Sequence, residues 1–123
     1  MKGVFDTNIV VDYMNDHEPA SETIAAHDDK VISRVTWMEV LVGAVTAEEE
    51  SRIREQLSRF RIVELTPDIA ERAVVLRRTH LPKLKLPDAT IYATARQERC
   101  DLITRNTNDF PADAADVTVP YTI

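Results

Sequence analysis

Short apolar runs alternate along this chain with longer stretches in which apolar residues return every three or four positions. The two periods predict strands and helices respectively. Residues 2–6 read as a short buried strand ending at Asp6, and Asn8 to Asn15 as the helix that follows it. Glu18 to His27 is a second helical stretch, and Val31 to Ser33 a short strand. Thr36 stands as an N-cap with Glu39 three residues on, a capping-box pattern that predicts a helix from Trp37 to Val45. Glu48 to Phe60 carries Ile53, Leu57 and Phe60 on one helical face, Arg61 to Leu65 reads as a strand, and Pro67 starts a helix running to Thr79. A loop with two prolines, His80 to Pro87, precedes a helix from Asp88 to Arg99 and strands at Leu102–Thr104 and Val117–Val119. Strands separated by helices, without tight hairpin signals, predict an α/β domain with a mainly parallel sheet of about four to five strands flanked by helices. Ligands of such sheets bind beyond the carboxyl ends of the strands.

The length, 123 residues, fits one domain spanning 1–123 and suffices for a real core. With two glycines, Gly3 and Gly43, no glycine-rich phosphate loop can be assembled, which sets aside nucleotide-triphosphate and dinucleotide folds. The lone Cys100 cannot form an internal disulfide and reads as an inert helix residue, in keeping with a reducing cytosol. Asp6 and Asp12 break the N-terminal apolar run, so it does not read as a signal peptide, and no stretch is long enough to span a membrane. A soluble, cytoplasmic protein is expected. The net charge of −6 argues against a simple nucleic-acid-binding module, which carries a basic face. It does not argue against a metal-dependent nuclease, because a divalent ion inverts the local field.

Four carboxylates mark the candidate chemistry. Asp6 ends Val4-Phe5; Glu39 interrupts Trp37-Met38-Glu39-Val40-Leu41-Val42; Asp88 follows Leu86-Pro87; Asp109 lies in the polar segment 104–109 after a strand. Each has an ordinary structural explanation. Asp6, Thr7 and Asn8 can cap a helix, Glu39 can be the capping-box acid of Thr36, Asp88 can complement a helix dipole, and Asp109 can stabilise a turn. Gathered into one pocket, however, they would repel one another unless a cation intervened.

Taken together, Val4-Phe5-Asp6-Thr7-Asn8-Ile9, Trp37 to Gly43, Leu86 to Ala93 and Leu102 to Phe110 resemble the signature blocks of PIN-domain ribonucleases, and specifically the VapC-type toxins of type II toxin–antitoxin pairs. The resemblance covers nearly the whole chain, with the blocks in the family's order. It implies a PIN-like three-layer sandwich and a metal-dependent endoribonuclease, a hydrolase in which Asp6, Glu39, Asp88 and a fourth acid hold Mg²⁺, with Mn²⁺ as a substitute. For that fourth acid, relatives use the position of Asn106 or that of Asp109; here Asp109 is the acid, with Asn106 a neutral partner. The resemblance further implies an RNA substrate, a cognate antitoxin and a homodimer.

Hard Mg²⁺ prefers oxygen ligands and keeps several waters, which suits Asp and Glu and leaves His and Cys out. His17 and His27 read as surface residues. Thr7, Asn8, Thr104 and Asn106 can orient the carboxylates through hydrogen bonds, although capping explains Thr7 and Asn8 as well. Arg77, Arg78, His80, Lys83 and Lys85 form the dense basic stretch ahead of Asp88, with Arg105 near the same edge. Lys83, Lys85 and Arg105 are candidate RNA phosphate contacts, although a solvated helix end is the better explanation of the stretch. Trp37, Met38, Leu41 and Val45 form a stripe that reads as core packing, or as a groove for a partner helix. A phosphoacceptor receiver domain is excluded, because no strand-ending Asp stands mid-chain and no Lys follows Lys85. The remaining alternatives are a PIN-fold nuclease in RNA processing and a non-catalytic α/β interaction module.

Overall fold

The computed structural model describes residues 1–80, 84–110 and 113–123. Five strands form one sheet in the order β3-β2-β1-β4-β5, every neighbouring pair parallel. They are β1 (Lys2–Phe5), β2 (Asp29–Ser33), β3 (Arg61–Val63), β4 (Asp101–Ile103) and β5 (Val117–Thr118). The helices are α1 (Thr7–Met14), α2 (Glu18–Ala25), α3 (Arg34–Leu41), α4 (Ala47–Leu57), α5 (Pro67–Val75) and α6 (Leu86–Gln97). A π-helical turn, Leu76–His80, prolongs α5, so the predicted loop begins later than His80.

Period-2 alternation along the central strands divides the apolar residues between two cores. Val4, Val31 and Leu102 face one side with Ile69 and Ala73 of α5 and Ala89, Ile91 to Ala93 and Ala95 of α6. Phe5, Ile32 and Ile103 face the other with Ile9 and Val10 of α1, Ile24 of α2 and Leu57 of α4. Helix, sheet and helix thus make the expected three layers. Helix α6 is buried over Ala89–Ala95, matching its apolar sequence.

Most predicted boundaries move by one to three residues, and the shift that matters for the site is at α3. Ser33 rather than Thr36 caps α3, its Oγ accepting from Val35 N at 3.1 Å, so the helix starts three residues early and ends at Leu41. Ser33 closes β2 in extended backbone and the chain turns immediately, which places Thr36 inside the helix, fully buried. The rotation also leaves Met38 and Val45 exposed, 57% and 86% respectively, so the stripe read as core does not pack as one. His27 is buried as well, its ring edge-on to Phe5 at 5.0 Å and its Nδ1 2.8 Å from the Thr23 carbonyl. The expected surface position fails because Gly3, on the neighbouring strand, leaves room for the imidazole; a Cβ there would stand 3.0 Å from it.

Candidate active site

Strand order reverses at β1, whose connections leave towards β2 on one side while β4 lies on the other. That is a topological switch point, where adjacent loops diverge and open a crevice at the strands' carboxyl ends. Asp6 is the residue immediately past β1, and Thr104 the residue immediately past β4.

Asp6 is 4% exposed and its carboxylate is held from several directions. Oδ1 accepts from Thr7 N at 2.8 Å, which is the N-cap bond of α1, and Oδ2 accepts from the Thr104 hydroxyl at 2.8 Å and Asn8 Nδ2 at 3.3 Å. Capping and cleft are therefore the same carboxylate, not alternatives. The Thr7 hydroxyl donates to Glu39 Oε1 at 2.7 Å and shares a hydrogen bond with Thr36 Oγ1 at 3.1 Å. Thr7 thus ties α1 to α3 and sets Glu39 beside Asp6. Glu39 itself is exposed, with Met38 exposed and Val40 buried beside it, so its apolar neighbours in sequence do not enclose it.

Asp88 lies half-buried in the first turn of α6, just after Pro87. Asp109 lies beyond β4 in a turn built by Asn106, whose Oδ1 accepts from Asn108 N and Asp109 N, both at 3.2 Å. Asn106 Nδ2 donates to Asp109 Oδ2 at 2.9 Å, so this amide orients the acid.

The electrostatics link the four. Burial first, then the charges of Asp88 and Glu39, push the Asp6 carboxyl up to about 6 against the pull of the Thr104 and Thr7 hydrogen bonds. Burial, then Asp109 and Glu39, raise Asp88, with Lys85 opposing. Among the described residues no three Asp, Glu, His or Cys side chains are grouped as a ready-made metal cage. Mg²⁺ does not require one, since it binds through one or two carboxylates and retains water. An all-oxygen donor set in which Asp6 feels the charges of Asp88 and Glu39, and Asp88 those of Asp109 and Glu39, has the chemistry such an ion takes.

The basic residues divide. Lys85 is exposed at the N-cap of α6, beside Asp88. Arg105 is engaged: Nε and Nη2 contact Asp12 Oδ2 and Oδ1 at 2.7 and 3.1 Å. Lys83 lies outside the described residues. Two residues of this region escaped the sequence reading. Asp12 is buried in α1, and the Tyr121 hydroxyl donates to its Oδ2 at 2.9 Å. An acid inside Val10-Val11-Asp12-Tyr13 was a visible signal for the first; nothing marked Tyr121.

Fold and site together define an α/β protein with a carboxylate crevice at the sheet's switch point. The chain belongs to the PIN domain family, whose model matches residues 3–115. Among solved structures it is similar to a chain of a toxin–antitoxin complex from Klebsiella pneumoniae, 47% identical, with a TM-score of 0.90 over 99% of this chain and 100% of that one. It is also similar in fold to VapBC2 from Rickettsia felis bound to a promoter DNA fragment (24% identity, TM-score 0.71, covering 89% and 91%). FitAcB from Neisseria gonorrhoeae is a further match (22% identity, TM-score 0.77, covering 96% and 97%). No curated protein matches. The likeness to VapC-type PIN toxins, read from four sequence blocks, is borne out.

Proposed function

We propose that this PIN-domain protein is the toxin of a toxin–antitoxin pair and acts as a metal-dependent endoribonuclease. The observation that carries the reading is Asp6, a buried carboxylate raised to about 6, fixed by Thr7, Asn8 and Thr104 and subject to the charges of Asp88 and Glu39. Asp6 also caps α1 and Asp88 sits in the first turn of α6, but the repulsion between these acids costs stability unless a cation offsets it. Asp6 and Asp88 would hold Mg²⁺ or Mn²⁺ most directly, while Glu39 and Asp109 would hold metal-bound water or a second ion. Such an ion would supply polarisation of the phosphodiester and a more nucleophilic water. Thr7 and Thr104 hold the carboxylates in register, and Asn106 aims Asp109. In-line displacement leaves a 5′-phosphate and a 3′-hydroxyl. Lys85 serves the substrate's phosphates.

The Klebsiella relative is described as part of a toxin–antitoxin complex. A cognate antitoxin is proposed for this chain on that basis, and a homodimeric state on the resemblance to VapC-type toxins, with action in the cytoplasm; among the described residues no helix is long and apolar enough to cross a membrane. An open groove of about 540 Å³, with Trp37, Met38, Leu41 and Val42 as its apolar lining and Glu39, Glu50 and Arg54 as its charged lining, suits an amphipathic antitoxin helix. The test incubates purified protein with total RNA in Mg²⁺ or Mn²⁺, then with chelator, and sequences the new ends. Metal-dependent cuts absent from Asp6→Asn are expected; cleavage indifferent to chelator or to that substitution refutes the proposal.

A further inference from the structure

Arg105 follows Thr104 directly, and α1 holds it at two points one helical turn apart. Its backbone N lies 3.5 Å from Asn8 Oδ1, while its guanidinium is gripped by Asp12. Asn8 also bonds Asp6. The side chain therefore runs along α1 away from the carboxylate crevice, starting beside it. A side chain that spans one turn in that direction can fold back over the same distance. The charges of Arg105 and Asp6 already influence each other as placed.

The Asp12 end is built with care. Asp12 is 8% exposed within α1 and accepts from Arg105 twice and from Tyr121 once. Tyr121 comes from the segment after β5, with the His17 ring packed against it at 5.0 Å. Burial would raise the Asp12 carboxyl, yet the Arg105 and Tyr121 hydrogen bonds and the Arg105 charge together hold it below its ordinary value. It stays ionised and keeps its hold across the working pH range.

We propose that Asp12 is a positioning residue acting through Arg105: its two-point grip keeps the guanidinium out of the acidic crevice, which would otherwise recruit it as an internal cation in place of the metal. The inference rests on the nuclease reading of that crevice. A fixed positive charge among carboxylates opposes a divalent ion, and a carboxylate one turn away is the counter-charge that removes it.

The experiment titrates Mn²⁺ into the full-length protein by calorimetry for wild type, Asp12→Asn, Arg105→Ala and the double variant, with thermal melts as a folding control. Asp12→Asn is expected to weaken Mn²⁺ binding by about tenfold or more, and removing Arg105 in the same chain to restore it. Arg105→Ala alone should bind Mn²⁺ at least as tightly as wild type. A double variant as weak as Asp12→Asn, or an Asp12→Asn protein with unchanged affinity, overturns the proposal. If Asp12→Asn does not fold, Arg105→Ala decides: weaker Mn²⁺ binding there means that the arginine supports the site, and the proposal fails. Wild-type protein whose Mn²⁺ binding is absent, or survives Asp6→Asn, instead sinks the nuclease reading itself.

Discussion

Replacing Asp6 by Asn should make the metal-free protein more stable while destroying its activity. The Asp6 carboxyl moves from 3.8 in an ordinary setting to about 6 in the fold, so above pH 6 its ionised form costs the folded state about 3 kcal/mol, at 1.36 kcal/mol per unit. The sign follows from proton binding. Between the two values the folded protein holds a proton that the unfolded chain has released, so stability falls as pH rises through that window. At pH 5 the same linkage leaves a cost of about 1.6 kcal/mol, roughly half. Asn keeps an acceptor for Thr7 N or Thr104 but loses charge-assisted bonds, which trims the gain to roughly 1–3 kcal/mol at pH 8. The assay is urea unfolding in chelator at pH 8 and pH 5, comparing variant with wild type. The variant's advantage should shrink by half or more at the lower pH. Added Mn²⁺ should stabilise wild type and leave the variant unmoved. An advantage independent of pH, or a variant less stable at pH 8 than at pH 5 relative to wild type, refutes the reasoning.

Further outcomes follow from the same geometry. Thr104→Val removes the hydroxyl on Asp6 and should lower kcat roughly tenfold to a hundredfold with KM little changed, Thr104→Ser restoring most of it in steady-state cleavage assays. Asp109→Asn should cost more activity than Asn106→Ala, because the former deletes a charge facing Asp88 and the latter only loosens its aim; kcat for both variants at saturating Mg²⁺ checks this. Lys85→Glu should weaken binding of single-stranded RNA and reduce its salt slope by about 0.7, measured by anisotropy across a salt series. Val42→Glu, on the exposed lip of the Trp37 groove at 84% exposure, should abolish co-purification with the antitoxin while RNA cleavage persists.

Much of the fold was legible because the central strands obey simple periods. Val4/Phe5, Val31/Ile32 and Leu102/Ile103 each send neighbours to opposite cores, and continuous apolar runs between helices mark parallel strands. The carboxylates were legible as anomalies, acids set within or beside apolar segments. What escaped was rotation about α3. Two residues, Ser33 and Thr36, both satisfy the chemistry of an N-cap, and only the end of β2 selects Ser33. That choice decided that Glu39 leans on Thr7 from α1 rather than on its own helix start. Arg105 and Asp12 stand 93 positions apart, and no local pattern couples them. Sequence therefore offered Arg105 as a candidate phosphate contact near the cleft, whereas tertiary packing commits two of its nitrogens to Asp12.

The central position of β1 sets an order of events during synthesis. Strand β1 pairs on one side with β4, which begins at Asp101, and Asp6 accepts from the Thr104 hydroxyl of the same late segment. Contacts so distant in sequence form slowly. A nascent chain therefore lacks the Thr104 bond to Asp6 until β4 and the residue after it have been made, so the crevice is completed only after most of the chain exists.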